Sequence, residues 1–419
     1  MRSMKSSNPL APILFALLTC VSQLASAQTF NVLHTFTGSP NDGDGPVGTL
    51  VRDAEGNLYG VTDVGGSGIC GDYSCGTAFM LDKTGEEVGV FSFNGQDGLS
   101  PEAGLFRDAA GNLYGTTAGG GAKCPSGLPS GCGTVFALNN RGNKIRNYSF
   151  GGQPDGASPE APVIKVSGSL YGTTEGGGSS DFGTVYRVNV NGRETVLYSF
   201  KGGSKGCLPH GGVTADANGN LYGATLAGGS GGCYRNAGAG VAYELDTEGK
   251  FSVLFTFGGA VGANPYSPLV FDSQGNLYGT AQSGGSNIYG TVFELSPQSN
   301  GTWSGSALYS FCQLPNCADG RMPLGPLARD ALGNLYGTTY YGGAYNNCFG
   351  GLGCGVIFKI DTSGNESVLH NFTGGSDGAS PGSGLIIDAA GNLYGVVGEG
   401  GDASCDPPYG CGVVFELTP

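Results

Sequence analysis

From residue 28 onward the chain alternates short apolar runs with polar turns, and no stretch holds the 3.6-residue period of an amphipathic helix. Residues 267–311 show the unit. Leu269-Val270-Phe271 is followed by a Ser-Gln-Gly turn and then Leu277-Tyr278-Gly279-Thr280. A Gly-rich loop leads to Thr291-Val292-Phe293-Glu294-Leu295, and a further turn leads to Ala307-Leu308-Tyr309-Ser310-Phe311. Turn-forming residues bound every run, so each reads as a strand hairpinned to the next. Side chains of a strand alternate between faces. Neighbours such as Leu335 and Tyr336 therefore point opposite ways, and both faces must be covered.

The unit repeats. Gly-Asn-Leu-Tyr-Gly starts at Gly56, Gly111, Gly219, Gly275, Gly333 and Gly391, and the copy at Gly168 reads Gly-Ser-Leu-Tyr-Gly. Spacings of 51 to 58 residues between copies point to a propeller or a solenoid. Four antiparallel strands per repeat make a propeller blade, and the chain ends choose between the two architectures. Residues 32–36 match the fourth strand of other repeats, such as 196–200, whereas the last repeat stops at its third strand, 413–417. One end supplies what the other lacks, and closing the ring removes exposed strand edges. The predicted fold is therefore all-β: a seven-bladed β-propeller over residues 28–419. It has four antiparallel strands per blade and is closed by the N-terminal strand joining the C-terminal blade. Within the motif, the second Gly is expected to clear space for an aromatic ring of a neighbouring blade.

The first 27 residues stand apart. Arg2 and Lys5 precede an apolar run over 13–21, and Ala25-Ser26-Ala27 precedes Gln28, the pattern of a secretory signal peptide. No later segment reaches the ~18 apolar residues of a membrane helix. A secreted, cell-surface or periplasmic monomer is expected. The 33 acidic against 19 basic residues, with no Lys/Arg cluster, argue against nucleic acid as a partner.

The order Leu-Tyr-Gly-Thr-Thr, Gly-Gly, then Gly-Thr-Val-Phe-x-Leu resembles the GloVer tandem repeat of exported bacterial proteins, over nearly the whole mature chain. The resemblance implies export and a repeat architecture and brings no biochemical activity with it. C-terminal anchoring segments are frequent in that family, and none is expected here after Pro419.

Removing the leader takes Cys20 and leaves twelve of the 13 cysteines, an even number in an exported chain. Cys70 and Cys75, Cys124 and Cys132, Cys348 and Cys354, and Cys405 and Cys411 each share one loop between second and third strands. Cys312 and Cys317 share a loop between blades. Cys207 and Cys233 remain, in two loop types that open on the same face when strands alternate in direction. Six disulfides, all on this top face, are expected.

Candidate chemistry lies in the positions that do not repeat. The second-to-third-strand loop of blade five is short and lies between long, stapled loops of blades four and six. This arrangement predicts a notch with Tyr289 as floor, Tyr234 on one wall, Tyr340 and Tyr341 on the other, and Asp319 as hydrogen-bond acceptor. Its expected partner is carbohydrate or a cell-surface protein, since concave aromatic-walled sites suit such ligands. Asp44, Asp97, Asp155, Asp319 and Asp377 precede Gly on the top face and read as turn residues, with calcium as the alternative. His34 and His370 fill aromatic slots. His210 reads as exposed and unpartnered. With the histidines dispersed from the cysteines, no metal site, cofactor or catalytic residue is expected. Two other readings stand beside the binding protein. One is a polysaccharide lyase or hydrolase using top-face acids such as Glu102 and Glu160, and the other is a structural envelope or matrix component.

Overall fold

The repeated octapeptide Asp-x-x-Gly-Asn-Leu-Tyr-Gly builds a hairpin from its own side chains. Asp330 Oδ1 accepts the backbone N–H groups of Leu332 (2.9 Å) and Asn334 (2.8 Å). Its Oδ2 accepts the Asn334 amide (2.7 Å) and the Tyr336 hydroxyl (3.1 Å). Gly333, at φ +95°, takes the left-handed position that side chains avoid. The set recurs at Asp53, Asp108, Asp272 and Asp388. In blade four Tyr222 turns instead to Glu244 (3.0 Å). The second Gly has a different role from the one expected. A Cβ on Gly337 would stand 2.6 Å from Cζ of Phe358, and Phe358 belongs to the next strand of the same blade. The clearance is internal to each blade.

The computed structural model describes residues 28–71, 73–124, 131–234 and 237–419; the signal peptide expected over 1–27 lies outside them. Seven antiparallel sheets form the ring. Blade one runs Gly43–Arg52, Leu58–Gly65, Thr77–Leu81, Glu87–Ser92 from channel to rim. Blades two to six occupy 106–149, 164–199, 213–256, 263–310 and 328–371. Blade seven takes Ile386–Ile387, Leu393–Val397 and Val413–Thr418 from the C-terminus and Thr29–Thr35 from the N-terminus. Thr29 pairs with Thr418, Val32 with Phe415 and Thr35 with Val413, which is the closure the split repeat predicts. No helix among the described residues is long and apolar enough to cross a membrane.

Blade meets blade through a repeated aromatic contact. Phe36 packs edge-on against Phe79, Phe93 against Phe136, Phe150 against Tyr186 and Phe200 against Tyr243. Phe257–Phe293, Phe311–Phe358 and Phe372–Phe415 complete the ring. Each pair joins the end of one outer strand to the third strand of the following blade. On the bottom face, basic residues add to three junctions. Arg52 lies over Tyr394, Arg107 over Tyr59 and Lys165 over Tyr114, each beside the turn aspartate of the preceding blade.

The six disulfides join the expected partners. Cys207–Cys233 ties an inter-blade loop to a second-to-third-strand loop, so both open on the top face. His370 stacks on Phe30 at 3.9 Å and also bonds Asp377 at 3.1 Å, and His34 faces Asp42 at 3.5 Å. The first turn slot thus belongs to Asp42, not Asp44. Asp42 takes the Thr37 and Gly43 N–H groups, as Asp155 takes Gly151 and Gly156. Asp44 sits two residues on, in the channel-side strand, where burial and then Asp406 push its carboxyl up to about 6.

Near these turns Glu87, Glu194 and Glu366 each carry a buried Oε1 without a hydrogen-bond partner. Burial first, then Asp42, Asp155 and Asp319 respectively, pushes each carboxyl up to about 7.

These contacts make stability testable in two ways. Phe36 is fully buried at the seam between blades seven and one. Phe36→Ala should cost about 3–5 kcal/mol in denaturant unfolding, against less than about 0.5 kcal/mol for the exposed Leu332→Ala. The three glutamates hold their protons more tightly folded than unfolded. Their contribution is complete below the ordinary value of 4.5 and is lost as pH rises through about 7. Calorimetry should find the melting temperature falling from about pH 5 to about pH 8, with a shallower slope in the Glu87→Gln, Glu194→Gln, Glu366→Gln triple variant.

Candidate functional site

The structure does not gather the five residues of the expected notch. Tyr289 and Tyr341 are near each other, but the Arg321 guanidinium lies between them, 5.5 Å and 5.7 Å from the two rings, and donates to the Leu352 carbonyl. Tyr234 is 64% exposed and leans on blade three, with its ring on Phe182 and its hydroxyl donating to the Asp181 carbonyl (3.2 Å). Asp319 is fully buried, and accepts from the Tyr309 hydroxyl and the Gln313 and Leu314 N–H groups. Tyr340 packs edge-on against Tyr341 (4.8 Å) and lines the centre of the ring. Loop length showed where space would be left, but it did not show which way a ring would turn or that Arg321 would occupy the space.

All seven blades instead contribute to one central cavity of about 510 Å³. Its wall is built by a strained turn used seven times. Gly45, Ser100, Ser158, Leu208, Asn264, Met322 and Ser380 each have left-handed φ, between +54° and +65°, and each precedes a proline. Six of the seven are not glycine, and such backbone costs ~1–3 kcal/mol apiece unless its surroundings hold it. Here the N–H of each donates to a carbonyl of the preceding blade, at 2.7 to 3.3 Å. The turn delivers the residue after the proline to the channel. Those residues are Val47, Glu102, Glu160, His210, Tyr266, Leu324 and Gly382, and all seven line the cavity.

One half of the cavity is charged. His210, expected to be exposed and unpartnered, is swung inward by the Leu208-Pro209 turn. Its Nε2 lies 3.0 Å from Glu160, and its ring packs on Tyr266 at 3.7 Å. Glu175, which directly follows Leu-Tyr-Gly-Thr-Thr in blade three, joins them. Glu160, Glu175 and His210 offer ligand atoms all within 4.8 Å of one another. Burial, then Glu160 and Asp63, pushes Glu102 up to about 7, and burial followed by Glu160 does the same to Glu175. Burial works to raise Glu160 too, but hydrogen bonds from His210 and Glu175 outweigh it and hold it below the usual range. For His210 burial favours the neutral ring, and the bond to Glu160 wins, favouring the cation. Away from this cluster Val47, Leu324, Pro326 and Tyr340 give the lining apolar surface, interrupted by Asp63 and Glu399. Two polar groups in the lining are unsatisfied: Ser380 Oγ, in a residue only 4% exposed, and Asp63 Oδ1.

Sequence reasoning named Glu102 and Glu160 as top-face acids and missed Asp63, Glu175, Tyr266 and Glu399. A signal for most of them was present. Most positions of the aligned repeats recur, but the residue after the inner proline does not. Neither does the third residue after each Leu-Tyr-Gly, which reads Asp63, Ala118, Glu175, Leu226, Gln282, Tyr340 and Gly398 around the ring.

Residues 209–415 match the Gloeobacter/Verrucomicrobia repeat family. No curated protein matches the chain in sequence. Among solved structures, the chain is similar to the extracellular domain of a hybrid two-component system from B. thetaiotaomicron, at 13% identity and a TM-score of 0.52. The match covers 93% of this chain and 41% of that one, so this chain spans less than half of its length. A luciferin-regenerating enzyme (13% identity, 94% and 95% covered, TM-score 0.46) is also similar. So is a gluconolactonase from Xanthomonas campestris (13%, 93% and 89%, TM-score 0.43). At 13% identity the first likeness shows the propeller fold alone.

Proposed function

Starting from a chain that belongs, through residues 209–415, to the Gloeobacter/Verrucomicrobia repeat family, we propose that it is an exported binding protein that takes carbohydrate at the channel mouth. One observation carries the reading. In a chain that repeats itself seven times, the residue after the inner proline is of a different type in nearly every blade, with only Glu occurring twice, and all of these residues face one cavity. Positions that hold blades together recur because every junction is alike, whereas a position that varies toward a shared space is free of that duty. Carbohydrate suits the lining. Hydroxyl-rich rings need acceptors such as Glu102 and Glu160 on one side and an apolar or aromatic face such as Tyr266 or Tyr340 on the other. Six disulfides support an oxidising compartment outside the cytosol.

A second reading rests on the split between two neighbouring acids. Glu102 and Glu160 line the same cavity from adjacent blades. Burial pushes Glu102 up to about 7, whereas at Glu160 burial is outweighed by hydrogen bonds from His210 and Glu175, which hold it below the usual range, the split a glycoside-cleaving pair uses. Incubation with polysaccharides should then release new reducing ends, and Glu102→Gln should stop their release; a wild-type chain that releases none removes this reading.

The binding reading is tested with a panel of neutral and acidic oligosaccharides and calorimetry on the hits. Tyr266→Ala and Tyr340→Ala should each weaken binding about five-fold or more, as the loss of a ~1 kcal/mol anchor does, and Tyr289→Ala should leave it unchanged. A panel without hits, or hits indifferent to both channel tyrosines, overturns it.

A further inference from the structure

Resting on the channel as the binding site, we propose that Glu160, Glu175 and His210 hold a divalent transition-metal cation whose remaining coordination positions face the cavity. Glu160 and His210 come from the inner turns of adjacent blades, and Glu175 comes from the end of a second strand beside them. Their ligand atoms converge within 4.8 Å. Ligands at ~2.0–2.2 Å from a shared ion stand up to roughly 4.4 Å apart, so only small side-chain adjustments are required.

Charge argues the same way. Glu102 and Glu160 in the lining, with Glu175 beside them, meet one imidazole. Asp63 and Glu399 add further carboxylates to the lining, and no Lys or Arg lines the cavity among the described residues. Carboxylates withdrawn from water need a cation or a proton, and a divalent ion balances two of them at once. An imidazole nitrogen with two carboxylate oxygens suits Zn²⁺ or Mn²⁺ and is a poor set for Ca²⁺, which prefers oxygen alone.

The other two groupings of this kind among the described residues spend ligand atoms on partners outside the cluster or on each other covalently, whereas the Glu160, Glu175 and His210 side chains bond only among themselves. Asp42, beside His34 and Glu87, takes backbone N–H groups from Thr37 and Gly43. Cys405 and Cys411, beside Asp44, are bonded to each other.

An independent feature marks the space beyond the cluster as built for a ligand. Ser380 is almost wholly buried, lines the same cavity from blade seven, and its Oγ has no partner. Asp63 Oδ1, on blade one, is likewise unsatisfied. A metal in blades three and four would hold one end of an oxygen-bearing ligand, and these groups would meet the other.

The test uses the mature chain stripped with EDTA and titrated with ZnCl₂, MnCl₂ and CaCl₂ by calorimetry. One equivalent of Zn²⁺ or Mn²⁺ should bind, with Ca²⁺ much weaker. His210→Ala and Glu160→Gln should each weaken binding roughly ten-fold or more, and Tyr289→Ala should not change it. Circular dichroism confirms that each variant is folded. Should His210→Ala fail to fold, Glu175→Gln and zinc anomalous scattering from wild-type crystals take its place, with the peak expected between the three side chains. Absence of transition-metal binding, or binding that survives in folded variants, overturns the proposal. Repeating the oligosaccharide panel with and without metal separates the two readings. Metal binding without any glycan overturns carbohydrate recognition and leaves the cation site standing. Glycan binding by a chain that takes up no metal does the reverse.

Discussion

Seven edge-to-face aromatic contacts set the geometry on which everything else depends. Their ring centroids lie 4.9 to 5.7 Å apart, and their planes cross at 62° to 68°. This near-constancy is a closure condition. A ring of seven sheets meets its own start only if the rotation at each junction is nearly the same, and one ring packed against the next blade's ring is a stiff way to fix an angle. The glycine after each motif tyrosine is a consequence, because Phe358 and its counterparts must lie flat across their own second strand to reach the junction. So is the low charge of the chain: both faces of most sheets are spent on neighbours.

Much of this was legible in the sequence because it is local and repeated. Blade number, the split last blade and the disulfide partners need only the order of turn, strand and cysteine, and a pattern present seven times is hard to misread. The site was less legible. Tyr289 and Asp319 occupy the loops that were expected, yet the Arg321 guanidinium stands beside one and hydrogen bonds from Tyr309, Gln313 and Leu314 consume the other. Side-chain direction at a loop end depends on backbone angles that residue type alone does not give. His210 makes the point most sharply. Leu208 is not a residue one assigns to left-handed backbone, and without that turn the histidine reads as solvent-facing.

The inner turns also explain why their side chains are free to differ. The left-handed residue is held by its inter-blade hydrogen bond, which does not depend on the identity of the residue after the proline. That side chain is therefore not needed to hold the turn, and the position takes glutamate, histidine, tyrosine or glycine in different blades of the same ring. Architecture and recognition are separated by a single residue position.

The seam between the two chain ends has a consequence for how the molecule comes together. Thr29 pairs with Thr418, so the last sheet can be completed only after nearly the whole chain is available. The loop-closure entropy of such a pairing is large and slows it. Among the described residues every disulfide spans at most 26 residues and none bridges the seam, so the staples can form early while the ring stays open. Until then blade seven shows a bare strand edge and residues 29–35 have no partner within reach. At high concentration that edge is open to the N-terminal strand of another copy, and exchange of this one strand is the route by which closed rings would become linked dimers.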